Sequence, residues 1–175
     1  MLRGWPSSFA SIRRVVTAAA VAVALSLAAG AGAPRAAARP SSTELLVVVG
    51  AQSPLHDISH SALRRAYLGE VTEDHGVRLV PLNQPPSALA RVAFDRALLG
   101  LEPDAIARFW IDQRIRGQGS APRAIPTVPL LLRVLAQLPG GISYLRRSDL
   151  SANSTAVKVL TVDGKKPGDA GYLFP

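Results

Sequence analysis

ELLVVV, residues 44–49, is an apolar run that follows a single acidic residue and ends in three consecutive valines. β-Branched residues favour strands, and a run without polar alternation is typical of a strand buried on both faces, as in a parallel sheet. We therefore predict that Glu44–Val49 is a fully buried β-strand.

The segments next along the chain predict a helix and then a second strand. Apolar residues recur at helical spacing within Ser59–Leu68, and Gly69 stands where a helix-ending glycine belongs. Val77–Leu82 (VRLVPL) is the second strand, and Pro81 lacks a backbone donor, which favours a strand end or edge there.

The second half of the chain predicts three more helices and two more strands. The helices are 87–99, 103–116 and 127–138, and the strands are Ile142–Leu145 and Ala156–Val162. The element order is strand, helix, strand, three helices, strand, strand. It indicates an α/β domain with an open, mostly parallel or mixed sheet flanked by helices.

The N-terminal region has the pattern of an export signal. Arg3, Arg13 and Arg14 precede an uncharged segment, Val15–Ala29, and the small residues at 31–33 match a cleavage site, with 36–38 as a second option. We predict a signal peptide at 1–33, a flexible leader at 34–43, a domain at 44–175, and a periplasmic or secreted location. The alternative, a membrane anchor, is disfavoured because the apolar segment is rich in alanine.

Charge and cysteine content exclude several classes of protein. The chain has 20 basic and 12 acidic residues, and removal of the three signal arginines leaves a net charge of +5. The basic residues are scattered, which argues against nucleic-acid binding and only mildly favours an anionic ligand. The chain has no cysteine, which excludes disulfides, thiol catalysis and a lipidated N-terminal cysteine.

Motifs for catalysis or a metal are weak. His56 and His60 are four residues apart, but the predicted helix begins only near Ser59, so we interpret both as loop histidines. The chain contains no G-x-S-x-G, and Gly117–Gly119 does not follow a strand as a phosphate loop would. The sequence therefore predicts no enzyme, no metal site and no cofactor.

The junction between the second strand and the second helix is the best candidate for a binding site. A helix start offers unpaired N–H groups and the positive end of the helix dipole. The candidate ligand-binding residues are Asn83, Gln84, Ser87, Ala88 and Arg91. In the alternative interpretation, Ser87 only caps its helix, and its replacement by alanine costs about 1 kcal/mol of stability. Arg91 then points into water, and replacing Arg91 by alanine hardly affects stability.

A series of motifs occurs in order along the chain: Leu63–Gly69 (LRRAYLG), Val80–Asn83 (VPLN), Arg91–Phe94 (R-x-x-F), Phe109-Trp110, Gly117–Gly119 with Pro122, Pro139–Tyr144 (PGGISY) and Val157–Gly164 (VKVLTVDG). From Glu44 to Pro175 this series resembles the phosphate-binding-protein-like domain of the type II periplasmic solute-binding proteins. The resemblance implies about one lobe of a two-lobed receptor that binds phosphate or another small anion for ABC-type uptake, without catalysis.

The chain departs from that family at the anion site. Asn83 stands where the family has an arginine, and Ala88 and Leu89 replace the glycine and threonine of its Ser-Gly-Thr motif. These changes remove a bidentate guanidinium and a hydroxyl donor. They favour an alternative function, an envelope protein–protein interaction domain that has lost the ligand site. The predicted partners are therefore a small anion, an ABC permease or an envelope protein, and a lone lobe also allows two copies to pair.

Overall fold

The computed structural model describes residues 43–150 and 155–174. The predicted signal peptide and residues 34–42 of the predicted leader lie outside the described residues, so both stay predictions. Within the described ranges, no helix has the length and apolar character needed to cross a membrane.

Over residues 43–150 and 155–174, four α-helices and nine short or medium strands form a mixed α/β structure. The helices are α1 His60–Tyr67, α2 Leu89–Leu99, α3 Pro103–Ile115 and α4 Val128–Gln137. The strands are β1 Leu45–Gly50, β2 Asp57–Ile58, β3 Glu73–Asp74, β4 Val77–Arg78, β5 Val80–Asn83, β6 Arg123–Ala124, β7 Gly141–Arg146, β8 Val157–Val159 and β9 Thr161–Val162.

The main sheet has five strands in the order β6-β5-β7-β1-β8. Strands β6, β5 and β7 are parallel, whereas β1 runs antiparallel to both of its neighbours, β7 and β8. The predicted open, mixed sheet is therefore confirmed. The expectation that β1 is buried on both faces is also confirmed, although its neighbours are not parallel to it.

Two hydrophobic clusters lie on opposite faces of the sheet, and β1 contributes to both. Leu45, Val47 and Val49 pack on the face covered by α1 and α2, while Leu46 and Val48 pack on the face covered by α4. Alternate strand residues point to opposite faces, so a strand between two helical layers must be apolar at every position.

Two predicted strands are each split by the structure. Within 77–82, β4 pairs with β3 in a hairpin, which the Leu79 N–H extends by donating to the Thr72 carbonyl, and β5 joins the main sheet. Within 156–162, β8 pairs with β1 and β9 pairs with β2. Two different partners for one apolar segment cannot be inferred from its periodicity.

The helix ends follow local chemistry in α1 but not at the start of α2. The Ser59 hydroxyl accepts a hydrogen bond from the Ala62 N–H at 3.1 Å, so Ser59 caps α1. The predicted cap at Ser87 is wrong, because the N-cap position of α2 is Ala88 and this helix has no side-chain cap. Its other end is as predicted, with Gly100 in the left-handed conformation.

Candidate functional site

The candidate site begins where β5 ends. Asn83 and Gln84 are buried there, beside Tyr144 of the adjacent strand β7. The Tyr144 hydroxyl donates to Asn83 Oδ1 at 3.0 Å, and Gln84 Nε2 donates to the Tyr144 carbonyl at 3.0 Å. Both predicted ligand-binding amides are therefore engaged with the neighbouring strand and hold β5 against β7.

Arg91 also turns into the protein. Its Nε lies 3.1 Å from Asp95 Oδ2, and its Nη1 donates to the Gln84 carbonyl at 3.0 Å. Arg91 and Asp95 are only 8% and 5% exposed. The alternative in which Arg91 points into water is therefore wrong, because the side chain is buried, and the predicted contact to a ligand stays a prediction.

Asp95 is the residue that the sequence reasoning missed. Burial raises the pKa of its carboxyl, and the hydrogen bond and charge of Arg91 act in the opposite direction. Arg91 and Asp95 are one helical turn apart, a spacing at which opposite charges pair. That spacing is visible in the sequence and could have suggested an internal partner for Arg91.

Ser87 and Ala88 lie outside this internal network. They belong to the turn between β5 and α2, in which the Ala88 N–H donates to the Pro85 carbonyl at 2.9 Å. Ser87 is exposed, and Leu89, the first residue of α2, is 69% exposed. The structure thus brings together Asn83, Gln84 and Arg91, and leaves Ser87 and Ala88 at the surface.

Three aromatic side chains, Tyr67, Phe94 and Tyr144, pack together beside this network. Phe94 of α2 stacks on Tyr144, with ring centroids 3.8 Å apart, and meets the edge of Tyr67 at 4.8 Å. The Tyr67 hydroxyl donates to the Leu82 carbonyl at 3.0 Å. Burial raises the pKa values of both tyrosines, so they remain protonated hydrogen-bond donors. This packing fixes α2 on the sheet and holds Arg91 in place.

The histidines do not form a site with each other. His56 precedes β2, as expected of a loop histidine, but the interpretation of His60 as a loop histidine is wrong, because His60 begins α1; the two are not on one helix. In the described part of the chain, no group of three His, Cys, Asp or Glu side chains is placed to hold a metal ion.

A cleft of about 570 Å³ lies at the other end of β5. Its floor is apolar, formed by buried residues such as Leu79, Leu82 and Ile125, while α4 supplies Val134 and Leu138. None of the five predicted ligand-binding residues lines it. Its remaining lining residues are Gly69, Glu70, Val71, Arg78, Val80, Pro81, Ser120, Pro122 and Arg123.

Comparison with known proteins gives a fold but no family assignment. No family model matches the sequence, and no curated protein matches it. An ABC-type phosphate transport receptor from Vibrio cholerae aligns over 71% of this chain with a TM-score of 0.52 and 12% identity. A protein from Clostridium perfringens, assigned as a phosphate ABC transporter substrate-binding protein and solved with bound phosphate, aligns over 71% with a TM-score of 0.53 and 13% identity.

These likenesses establish the architecture. The chain spans about half of each solved structure, 48% and 46% of their lengths. The mixed sheet and its four helices therefore match half of a phosphate-receptor-like periplasmic binding protein. The predicted fold class is confirmed, and the likeness to the two solved structures is one of fold.

Proposed function

We propose that this chain is a non-catalytic binding module of the cell envelope, which uses the receptor-like fold to contact another protein rather than to carry a free anion. The observation behind the proposal is the Arg91–Asp95 pair. The guanidinium at the predicted anion site already has a carboxylate partner from its own chain.

The geometry explains why an anion would gain little at this position. A phosphate that took Arg91 from Asp95 would leave a buried carboxylate without its counter-charge, which costs several kcal/mol. It would also compete with the Gln84 carbonyl for Nη1. Asn83 is buried, and its side-chain oxygen accepts from Tyr144, so this side chain is held against β7.

The comparisons support a binding role over a catalytic one. The two solved structures are described as a transport receptor and a substrate-binding protein, and neither description names a reaction. An envelope location follows from the predicted export signal, and a protein partner follows from the alternative that the altered Ser-Gly-Thr motif favours.

Calorimetry with inorganic phosphate, sulfate and acetate tests the proposal directly. We expect no binding in the micromolar range, about −8 kcal/mol, for any of the three anions. Micromolar phosphate binding that is lost in Arg91→Lys would contradict the proposal, because it would show that the guanidinium leaves Asp95 for the ligand.

A second candidate function is weak binding of a small anion, such as phosphate, at the start of α2. The exposure of Ser87 and Leu89 favours it, because the start of α2, where a helix has backbone N–H groups without helical partners, then lies at the surface. In this form the module would deliver the anion to an ABC-type permease. The binding would be weak, since one lobe leaves the ligand open to solvent.

The two candidate functions differ in their dependence on salt and on Ser87. Weak anion binding should decrease with added chloride and decrease again in Ser87→Ala. Thr127→Ala is the matched control, since Thr127 is an exposed hydroxyl residue at the start of α4 that also makes no side-chain cap hydrogen bond. Equal losses in the two variants would remove Ser87 from the candidate site.

A further inference from the structure

The geometry points to a second binding site, the cleft at the amino end of β5, for an elongated aliphatic carboxylate. This inference does not depend on the protein partner proposed above, because the cleft shares no residue with the Asn83–Arg91 network. Its volume of about 570 Å³ lies within the range of ordinary small-molecule sites.

The apolar part of the cleft suits a hydrocarbon chain. Leu79, Leu82 and Ile125 form a buried floor. The rim carries two large apolar residues in water, Val71 at 75% and Val80 at 37% exposure. An aliphatic ligand lying across the floor would cover this exposed surface, and apolar burial would drive the association.

The charged part of the cleft suits an anionic head group. Arg78 and Arg123 both line it and are exposed, whereas Glu70 is the one acidic residue of the lining. Among the described residues, neither arginine side chain has an ion pair or a hydrogen bond, in contrast to Arg91. Guanidinium groups bind carboxylates through paired, charge-assisted hydrogen bonds.

An extended peptide is a poor occupant of the same cleft. A peptide strand could pair with the outer side of β5 only at residues 80–81, which β6 leaves uncovered, and Pro81 has no N–H to donate. β6 already pairs with β5 at Leu82 and Asn83, and the Val80 N–H donates to Gly140 on the other side. The edge therefore offers few groups for strand addition, which leaves a flexible small molecule as the occupant.

Titration of the whole protein with octanoate, followed by calorimetry, tests this site. Acetate supplies the head group alone and 1-octanol the chain alone, so we expect both to bind at least about tenfold more weakly than octanoate. Arg78→Ala and Arg123→Ala should each weaken the binding of octanoate about tenfold. Val80→Glu should weaken it by a similar factor, because the new carboxylate repels that of octanoate.

Arg108→Ala is the charge-matched control, because Arg108 is exposed on α3 away from the cleft. Retained octanoate binding in this variant, together with losses in the cleft variants, would support the site. No octanoate binding, equal binding of 1-octanol, or an equal loss in Arg108→Ala would overturn it. Circular dichroism of each variant establishes that the fold is intact.

Discussion

The charged and polar groups at the two ends of β5 lie in opposite environments, buried at one end and exposed at the other. At the carboxyl end, Asn83, Gln84 and Arg91 are buried, and each has a partner within the chain. At the amino end, Arg78 and Arg123 border an open apolar cleft. One strand of four residues thus separates a closed polar network from an accessible surface.

This difference separates structural from functional arginines. Arg91 is held by geometry that the fold needs, because the side chain joins α2 to the chain that leaves β5. Arg78 and Arg123 make no comparable link among the described residues. A guanidinium that lies near a motif but pairs within the chain is therefore weaker evidence for a ligand than an exposed guanidinium without an internal partner.

Among variants of the network at the carboxyl end of β5, Arg91→Ala should lower the free energy of unfolding most. It leaves Asp95 buried without its counter-charge, and we expect a loss of about 3–5 kcal/mol in the free energy of unfolding. Urea denaturation at pH 7 measures it. Arg96→Ala is the control, because Arg96 pairs with Glu102 in an exposed position and its removal should hardly move the midpoint. Similar losses in the two variants would show that the buried Arg91 stabilises the fold no more than the exposed Arg96.

Tyr144→Phe should have the next largest effect. It deprives the buried Asn83 oxygen of its donor, at a cost of about 1–3 kcal/mol. A double-mutant cycle with Asn83→Ala isolates the contact between them. Strictly additive losses would show that the hydrogen bond between Tyr144 and Asn83 contributes nothing to stability.

The pH dependence of stability should reveal the burial of Asp95. Its pKa is raised from 3.8 in the folded chain, so its contribution is complete below pH 3.8 and is lost as pH rises through the folded pKa. Asp95→Asn removes this titration. We therefore expect the unfolding free energy of the parent, relative to the variant, to fall between pH 4 and pH 7.

Denaturation series at both pH values check this result, with Asp112→Asn as an exposed control on α3. A relative free energy that stays constant or increases with pH would show that Arg91 compensates fully for the burial of Asp95.

Arg78→Ala and Arg123→Ala should give the smallest changes. Exposed side chains without partners contribute little, and we expect each unfolding free energy to stay within about 0.5 kcal/mol of the parent. Thermal or urea unfolding measures it. A loss comparable to that of Arg91→Ala would mean that Arg78 or Arg123 also stabilises the fold.

Much of the fold could be predicted because local signals agreed with the tertiary context. Ser59 caps α1 and Gly100 ends α2, as their residue types indicate. The start of α2 was misjudged because Ser87 falls in a turn before the helix. A serine near a helix start signals a cap only when the backbone places it directly at the N-cap position.

The candidate site was predicted less well than the fold. The junction after β5 does lie at a strand end beside a helix start, but Asn83, Gln84 and Arg91 are buried there while Ser87 is exposed. Whether Arg91 meets solvent or Asp95 depends on how α2 rotates on the sheet, and that rotation is set by the stacking of Phe94 on Tyr144. Motif and spacing do not specify this packing.

The amino-acid sequence by itself determined the four helices, the position of the longer strands and the burial of β1 on both faces, because periodicity and apolar content act locally. Only the tertiary structure decided the antiparallel neighbours of β1, the pairing of Arg91 with Asp95 and the cleft beside β5. Those features depend on contacts between residues distant in sequence or on the rotation of one element against another, and neither is recorded in a local pattern.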